Sequence, residues 1–254
     1  MKSPLFVIQQ LCKKYSNKKN GFSLQNISFS IFSGETLGVI GESGSGKTTL
    51  GKLLIRLFIA DSGSIFFKDK DLASLSKKEL IPFRKMVQMV FQNPSLTCNP
   101  KNKILEIISE PLEIHKIVPL CRRYYRIVEL LDLVQLHPDV MGKYPHECSG
   151  GQLQRVCIAR ALALNPEVII FDEPLTALDL PTAMQIVELL QSLQKKLGLT
   201  YIFISHDLSM IQKIAHRILV LKSGRIVELG NTKEILLTPR EDYTKNFVVA
   251  SFLL

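Results

Sequence analysis

No run of apolar residues in this 254-residue chain approaches the roughly 18 that cross a bilayer as a helix. The opening stretch, Met1 to Gln10, is too short in apolar residues for a secretory signal. The expectation is a cytoplasmic protein that meets a membrane only through a partner. None of the five cysteines (Cys12, Cys98, Cys121, Cys148, Cys157) forms a C-x-x-C pair. An odd count at these spacings argues against a disulfide framework or a zinc site, and reduced core or surface thiols are expected. There is no internal repeat and no low-complexity tract. Nor is there a basic recognition helix: the net charge is +9, but Lys13-Lys14, Lys77-Lys78 and Lys195-Lys196 lie far apart. That argues against a nucleic-acid partner. The excess fits a solvated surface, with attraction to anionic headgroups or nucleotide as the functional alternative.

What is present suffices for one large α/β domain or a core with a smaller insert. With 46% hydrophobic and 22% charged residues, the chain can bury a sizeable core. Residues 5–12 and 22–32 predict strands; in the second, Phe22, Leu24, Ile27, Phe29 and Ile31 nearly alternate with polar residues, and the one slip marks a bulge. Thr36 to Ile40 is a short apolar strand entering a glycine-rich loop. Lys47 to Phe58 predicts a helix, with Leu50, Leu53, Leu54 and Leu57 at helical spacing. Ser64 to Phe67 and Val87 to Phe91 predict further strands. Residues 93–147 change character: Pro94, Pro100, Pro111, Pro119, Pro138 and Pro145 punctuate helical stretches without a strong strand. They are expected to form a helical insert within a core made of 1–92 and 148–254. Strands at Val168–Phe171, Thr200–Ile204 and Ile218–Leu221 then alternate with a helix over Thr182–Leu197, its Ala183, Ile186, Val187, Leu190, Leu193 and Leu197 inward. Apolar strands alternating with helices imply a mainly parallel sheet covered on both faces.

Gly41, Glu42, Ser43, Gly44, Ser45, Gly46, Lys47 and Thr48, with Thr49 next, match G-x-x-x-x-G-K-[ST] between a predicted strand and a predicted helix. Glycines let the backbone curl so that N–H groups converge on phosphate, and the helix directs its positive end there. Lys47 reaches β- and γ-phosphates, and the Thr48 hydroxyl suits Mg²⁺. Val168 to Glu173 is an apolar strand ending in two carboxylates. Asp172 suits orientation of Mg²⁺, and Glu173 suits acceptance of a proton from attacking water. Ser149-Gly150-Gly151-Gln152 opens an apolar-periodic helix: Ser149 is a natural N-cap, and the glycines expose the first N–H groups to a second anion. Gln92, after a strand, fits either a polar loop residue or an amide sensing metal or water. His206, after another strand, fits either a structural histidine or a donor to γ-phosphate.

Taken in order, these elements resemble the ATP-binding subunit of an ABC transporter. Gly41 to Thr48 is similar to the Walker A motif, Gln92 to the Q-loop and Cys148 to Gln152 to the signature. Val168 to Asp172 is similar to Walker B, followed by Glu173 as the catalytic glutamate; Thr176 to Asp179 resembles the D-loop and His206 the switch histidine. Tyr15 is the aromatic expected to stack on adenine. The resemblance covers nearly the whole chain and implies the P-loop cassette fold: a mainly parallel sheet flanked by helices, an N-terminal antiparallel β region and a helical subdomain. It implies ATP as substrate, Mg²⁺ held through Thr48, Gln92 and Asp172, and catalytic roles for Glu173, His206, Gln92 and Lys47. It also implies a dimer with a second cassette, identical or paralogous, so that ATP lies between Walker A of one chain and the signature Ser149–Gln152 of the other, with Asp179 of the D-loop also a nucleotide-binding residue.

Gly-Glu-Ser-Gly-Ser-Gly-Lys-Thr, Phe91-Gln92-Asn93-Pro94 with Asn99-Pro100, and Ile107 to Leu112 resemble more narrowly the oligopeptide, dipeptide and nickel importer group. That group implies a peripheral ATPase at the cytoplasmic face of two integral membrane subunits, fed by an extracytoplasmic binding protein. The sequence departs from the pattern at Cys148, where Leu or Phe is usual, at Thr176, where Ser is common, and at Leu153, where a polar residue is frequent. Asp242-Tyr243-Thr244 resembles the start of a C-terminal extension that is expected to be short here. The competing readings are a soluble non-transport ABC ATPase, a P-loop phosphotransferase, and a subunit that binds ATP without hydrolysing it.

Overall fold

The computed structural model describes residues 3–14 and 23–252. The chain forms two compact units, 1–84 with 199–254, and 85–198.

In the first unit the chain runs through β1 (Pro4–Lys14), β2 (Ser23–Phe32), β3 (Thr36–Ile40), α1 (Lys47–Leu54), β4 (Ser62–Phe67) and β5 (Lys70–Asp71), and α2 (Lys77–Met86) leads out of it. The second unit comprises β6 (Val87–Val90), α3 (Pro94–Thr97), α4 (Ile104–Ile114), α5 (Leu120–Leu133), α6 (Gly150–Leu162), β7 (Val168–Asp172) and α7 (Leu180–Leu197). The chain then returns to the first unit with β8 (Thr200–Ile204), α8 (Leu208–Ile214), β9 (Arg217–Lys222), β10 (Arg225–Asn231), α9 (Thr232–Leu237) and α10 (Asp242–Phe252).

Two sheet layers organise the first unit. One is the expected antiparallel region, in the order β2-β1-β4-β5. The slip in the alternation near Ile27 coincides with register shifts between β1 and β2, and Gln10 and Asn26 take the left-handed conformation. The other layer is built on β3, which pairs in parallel with both β8 and β9, while β10 turns back antiparallel on β9. All five residues of β3 and all five of β8 are buried, as strands covered on both faces must be. Phe6, Phe67 and Phe83 tie the antiparallel layer to α2, with ring centroids 4.8 and 5.4 Å apart.

In the second unit, β6 and β7 pair in parallel, and every residue of β7 is buried. Regular structure among residues 93–147 is helical: α3, α4, α5 and two 3₁₀ turns. Ile127, Leu130 and Leu131 form the buried face of α5, and the capping Val134 is buried beside them.

Three local expectations need correction. Helix α1 stops at Leu54, not Phe58: Arg56 is left-handed, the Leu57 and Phe58 N–H groups both donate back to Lys52 O, and Leu57 is exposed. Leu197 ends α7 facing outward rather than inward. Pro111 lies inside α4 rather than bounding it.

Candidate active site

Strand β3 ends at Ile40, and the glycine-rich loop leaves it at Gly41. Gly41 has φ +148, and a Cβ there would stand 2.1 Å from Leu221 O and 2.8 Å from Ser45 Oγ. Only glycine lets the loop turn so close to β9. A Gly224 N–H donates to Ser45 O at 3.0 Å and pins the loop to the hairpin between β9 and β10. Helix α1 begins after Gly46, which has φ +114 and provides no side-chain cap. Among the described residues the buried Ser45 Oγ has no hydrogen-bond partner. Lys47 is 6% exposed and donates from Nζ to Gly41 O at 2.8 Å and Glu42 O at 3.0 Å. An uncapped helix start, an orphaned hydroxyl and a buried ammonium in one loop form a cradle for a polyanion. Glu42, Ser43 and Gly44 form its exposed rim, while Thr48 and Thr49 occupy the first turn of α1.

His206 follows β8 and is exposed. The turn around it is fixed by an Asp207 N–H donated to Ser205 Oγ at 3.0 Å, and Asp207 Oδ1 accepts from Ser209 N at 2.8 Å as the cap of α8. Glu42, His206, Lys222, Tyr243 and Phe247 line one cavity of about 720 Å³ in this unit, closed on one side by α10. The Lys222 ammonium sits 4.3 Å from the centre of the Tyr243 ring. Tyr243 was visible in the sequence only as the start of a tail motif; nothing local linked it to the cradle. Tyr15 lies outside the described residues.

In the second unit, β7 delivers Asp172, 3% exposed, and then Glu173. Glu173 has φ +49, a left-handed backbone uncommon for a residue with a side chain. Its carboxylate Oε2 accepts from Thr176 Oγ1 at 3.0 Å, and the same hydroxyl lies 3.3 Å from Glu173 O. Thr176, noted in sequence only as a departure from Ser, thus steadies the carboxylate next to Asp172. Gln92 is exposed just beyond β6. Asp179 caps α7, its Oδ2 accepting from Thr182 N at 3.3 Å. Hydrogen bonding from Thr182 lowers the Asp179 carboxyl below its ordinary range.

The Ser149–Gln152 turn is a complete capping box: Ser149 Oγ accepts from Gln152 N at 3.2 Å, and Gln152 Oε1 accepts from Ser149 N at 3.1 Å. A Cβ on Gly151 would stand 2.5 Å from Thr182 Cγ2, so Gly151 lets α6 begin directly against α7. Sequence reasoning assigned both glycines to exposing N–H groups and Gln152 to a ligand; the structure adds packing for one and capping for the other. Cys148 is half-buried behind the turn, its Sγ donating to Tyr144 O at 3.6 Å, and burial raises its thiol pKa.

The family model described as ABC transporter matches residues 24–176, more than half the chain. The oligopeptide transport ATP-binding protein OppF of Streptococcus mutans is 46% identical over 229 residues, 90% of this chain and 74% of its own length. The chain belongs to the ABC transporter family. As an ABC cassette it binds and hydrolyses ATP. The oligopeptide transport ATP-binding protein AppF of Bacillus subtilis is 46% identical over 224 residues, covering 88% of this chain and 68% of AppF. Among solved structures, the dimeric ATP-binding cassette MJ0796, bound to ADP and Pi after hydrolysis, superposes with a TM-score of 0.81 at 31% identity, covering 89% of this chain and 98% of that one. The ABC fold expected from the motifs is thus the fold observed. No helix among the described residues is long and apolar enough to cross a membrane.

Proposed function

We propose that this cassette powers the import of oligopeptides. It would work as a dimer with a second cassette on two membrane-embedded subunits, supplied by an extracytoplasmic binding protein. The observation that carries the hydrolytic part is Glu173, held in a left-handed backbone just past β7 with Thr176 donating to its carboxylate. The names of the OppF and AppF relatives support peptide as cargo.

In this reading the loop from Gly41 to Thr49 wraps the triphosphate. Its N–H groups and Lys47 neutralise the β- and γ-phosphates. Glu173 takes a proton from water as that water attacks the γ-phosphorus in line, and His206 donates to the departing phosphoryl group. Ser149 to Gln152 of the second cassette close over the γ-phosphate, with the start of α6 directing N–H groups and its positive end at it. Asp179 lies beside that contact. Tyr15 stacks on the adenine. Thr48, Asp172 and Gln92 would hold Mg²⁺, which shields the phosphate charge. Residues 93–147 act as the insert that receives the membrane subunits, and Gln92 at its entry reports nucleotide state to them. The protein then sits peripherally at the cytoplasmic face of the membrane.

The test pairs a turnover assay with uptake. Glu173→Gln is expected to cut ATP hydrolysis by about 10²–10⁴-fold while nucleotide binding persists. In cells, the same variant should abolish accumulation of a labelled tetrapeptide. Undiminished hydrolysis would remove Glu173 from the mechanism. Nickel uptake that fails with the variant while peptide uptake continues would overturn the cargo.

A further inference from the structure

Two cysteines in the second unit take no part in the chemistry above. Cys98 closes α3, and Cys157 lies in the middle of α6, two turns beyond the Ser149 cap. They are 59 residues apart in sequence, yet their sulfur atoms are 3.7 Å apart, and both residues are under a tenth exposed. The surrounding contacts hold them there. Cys98 N donates to Pro94 O at 3.1 Å, and Thr97 Oγ1 lies 4.0 Å from Cys157 Sγ. Arg160, one turn after Cys157 on α6, donates to Thr97 O at 3.2 Å and pairs with Glu110.

We infer that Cys98 and Cys157 form a dithiol modification site that takes hydrogen peroxide, or a peroxide of similar size, and closes to a disulfide.

The geometry requires little movement. The sulfur atoms must approach by about 1.7 Å to reach the ~2.05 Å of a disulfide. The chemistry has a defined first attacker. The hydrogen bond from Cys157, aided by the nearby Arg160 charge, pulls the Cys98 thiol below its ordinary range against the effect of burial. A lower thiol pKa means more thiolate, the reactive form. The Cys98 thiolate attacks one peroxide oxygen; the O–O bond breaks, an S–O bond forms and hydroxide leaves, taking up a proton to become water. The Cys157 sulfur then attacks the Cys98 sulfenic sulfur. The S–S bond forms, the S–O bond breaks, and hydroxide departs with the Cys157 proton as a second water. The two sulfurs together lose two electrons, and peroxide accepts them. Reduction by a small thiol reverses the step.

The consequence follows from position. Cys98 is six residues beyond Gln92, and α6 opens with the Ser149–Gln152 turn. A covalent tie between α3 and α6 fixes the segment after Gln92 to the helix that carries the signature. This consequence rests on the proposed role of Gln92 in following nucleotide state; formation of the disulfide does not.

The full-length protein is treated with stoichiometric hydrogen peroxide, alkylated, digested and mapped by mass spectrometry, with ATP turnover measured in parallel. The expected result is a linked pair of peptides carrying Cys98 and Cys157, lighter by two hydrogens, while Cys12, Cys121 and Cys148 remain alkylated. Turnover should fall at least fivefold and recover with dithiothreitol. Cys98→Ala and Cys157→Ala should each keep basal turnover and lose the peroxide sensitivity. If Cys98 and Cys157 alkylate independently after peroxide in the wild-type chain, the site is overturned. A disulfide that forms while turnover is unchanged overturns the inhibitory consequence. Absent turnover in the reduced wild-type protein would instead count against the proposed function.

Discussion

Two helix starts in this molecule are rich in glycine, and they use it for opposite ends. At α1, Gly41 and Gly46 have φ of +148 and +114, the loop curls tightly, and no side chain caps the helix. At α6, Gly151 gives way to the Thr182 methyl group, and Ser149 with Gln152 completes a capping box. The first start is shaped by backbone conformation rather than by a capping side chain. The second satisfies part of its own N–H donors and lies against α7. A glycine-rich motif is therefore not one physical device. The cradle needs glycine for backbone conformation, whereas the signature turn needs it for close packing. In the proposed dimer the α6 start would meet phosphate only at the partner's cradle, and its capping box is compatible with waiting for that contact.

The comparison is broken most directly at Gly41. Gly41→Ala places a methyl group 2.1 Å from Leu221 O in a left-handed backbone. It should cost about 1–3 kcal/mol of stability and abolish nucleotide binding, read by a fluorescent ATP analogue alongside thermal melting. Gly151→Ala should act on the other end alone. Its methyl group would meet Thr182 Cγ2 at 2.5 Å and push α6 away from α7. The overpacking should cost about 1–3 kcal/mol and slow turnover roughly tenfold, while ATP still binds the cradle normally. Thr182→Ser removes that methyl group, so the double variant Gly151→Ala/Thr182→Ser should regain most of the lost turnover. No rescue would mean that Gly151 serves a purpose other than packing. The smallest effect is expected at the cap. Ser149→Ala should lower stability by about 1 kcal/mol, or roughly 2–4 °C in Tm for a chain of this size. Calorimetry would show whether α6 depends on its cap as the geometry indicates.

Much of the architecture could be read from the sequence because β3, β7 and β8 are continuous apolar runs that end where the chemistry begins. Helix α7 was equally legible from the spacing of Ala183, Ile186, Val187, Leu190 and Leu193, all of them buried. What was not legible depended on contacts between distant residues or on backbone that no periodicity encodes. Strand β10 carries Glu228 and Gly230 and is only partly buried, so its pattern gave no strand signal. Helix α2 holds Pro82 within it, which reads as a breaker. The left-handed Glu173 and its Thr176 partner belong to a turn whose sequence permits several conformations. The pairing of Cys98 with Cys157 spans 59 residues, and spacing alone gave no hint of it. Each motif in the candidate site could be named from its residue types, but which of its groups were already engaged by a neighbour could not.

The inward fold of Lys47 has one more consequence. Its Nζ bonds to the carbonyls of Gly41 and Glu42, so the loop is braced by its own cation. In the proposed nucleotide site, phosphate oxygens would replace those carbonyls around Lys47. The internal brace ties the two ends of the turn together. It also explains why a loop made largely of glycine and serine can remain a well-defined shape.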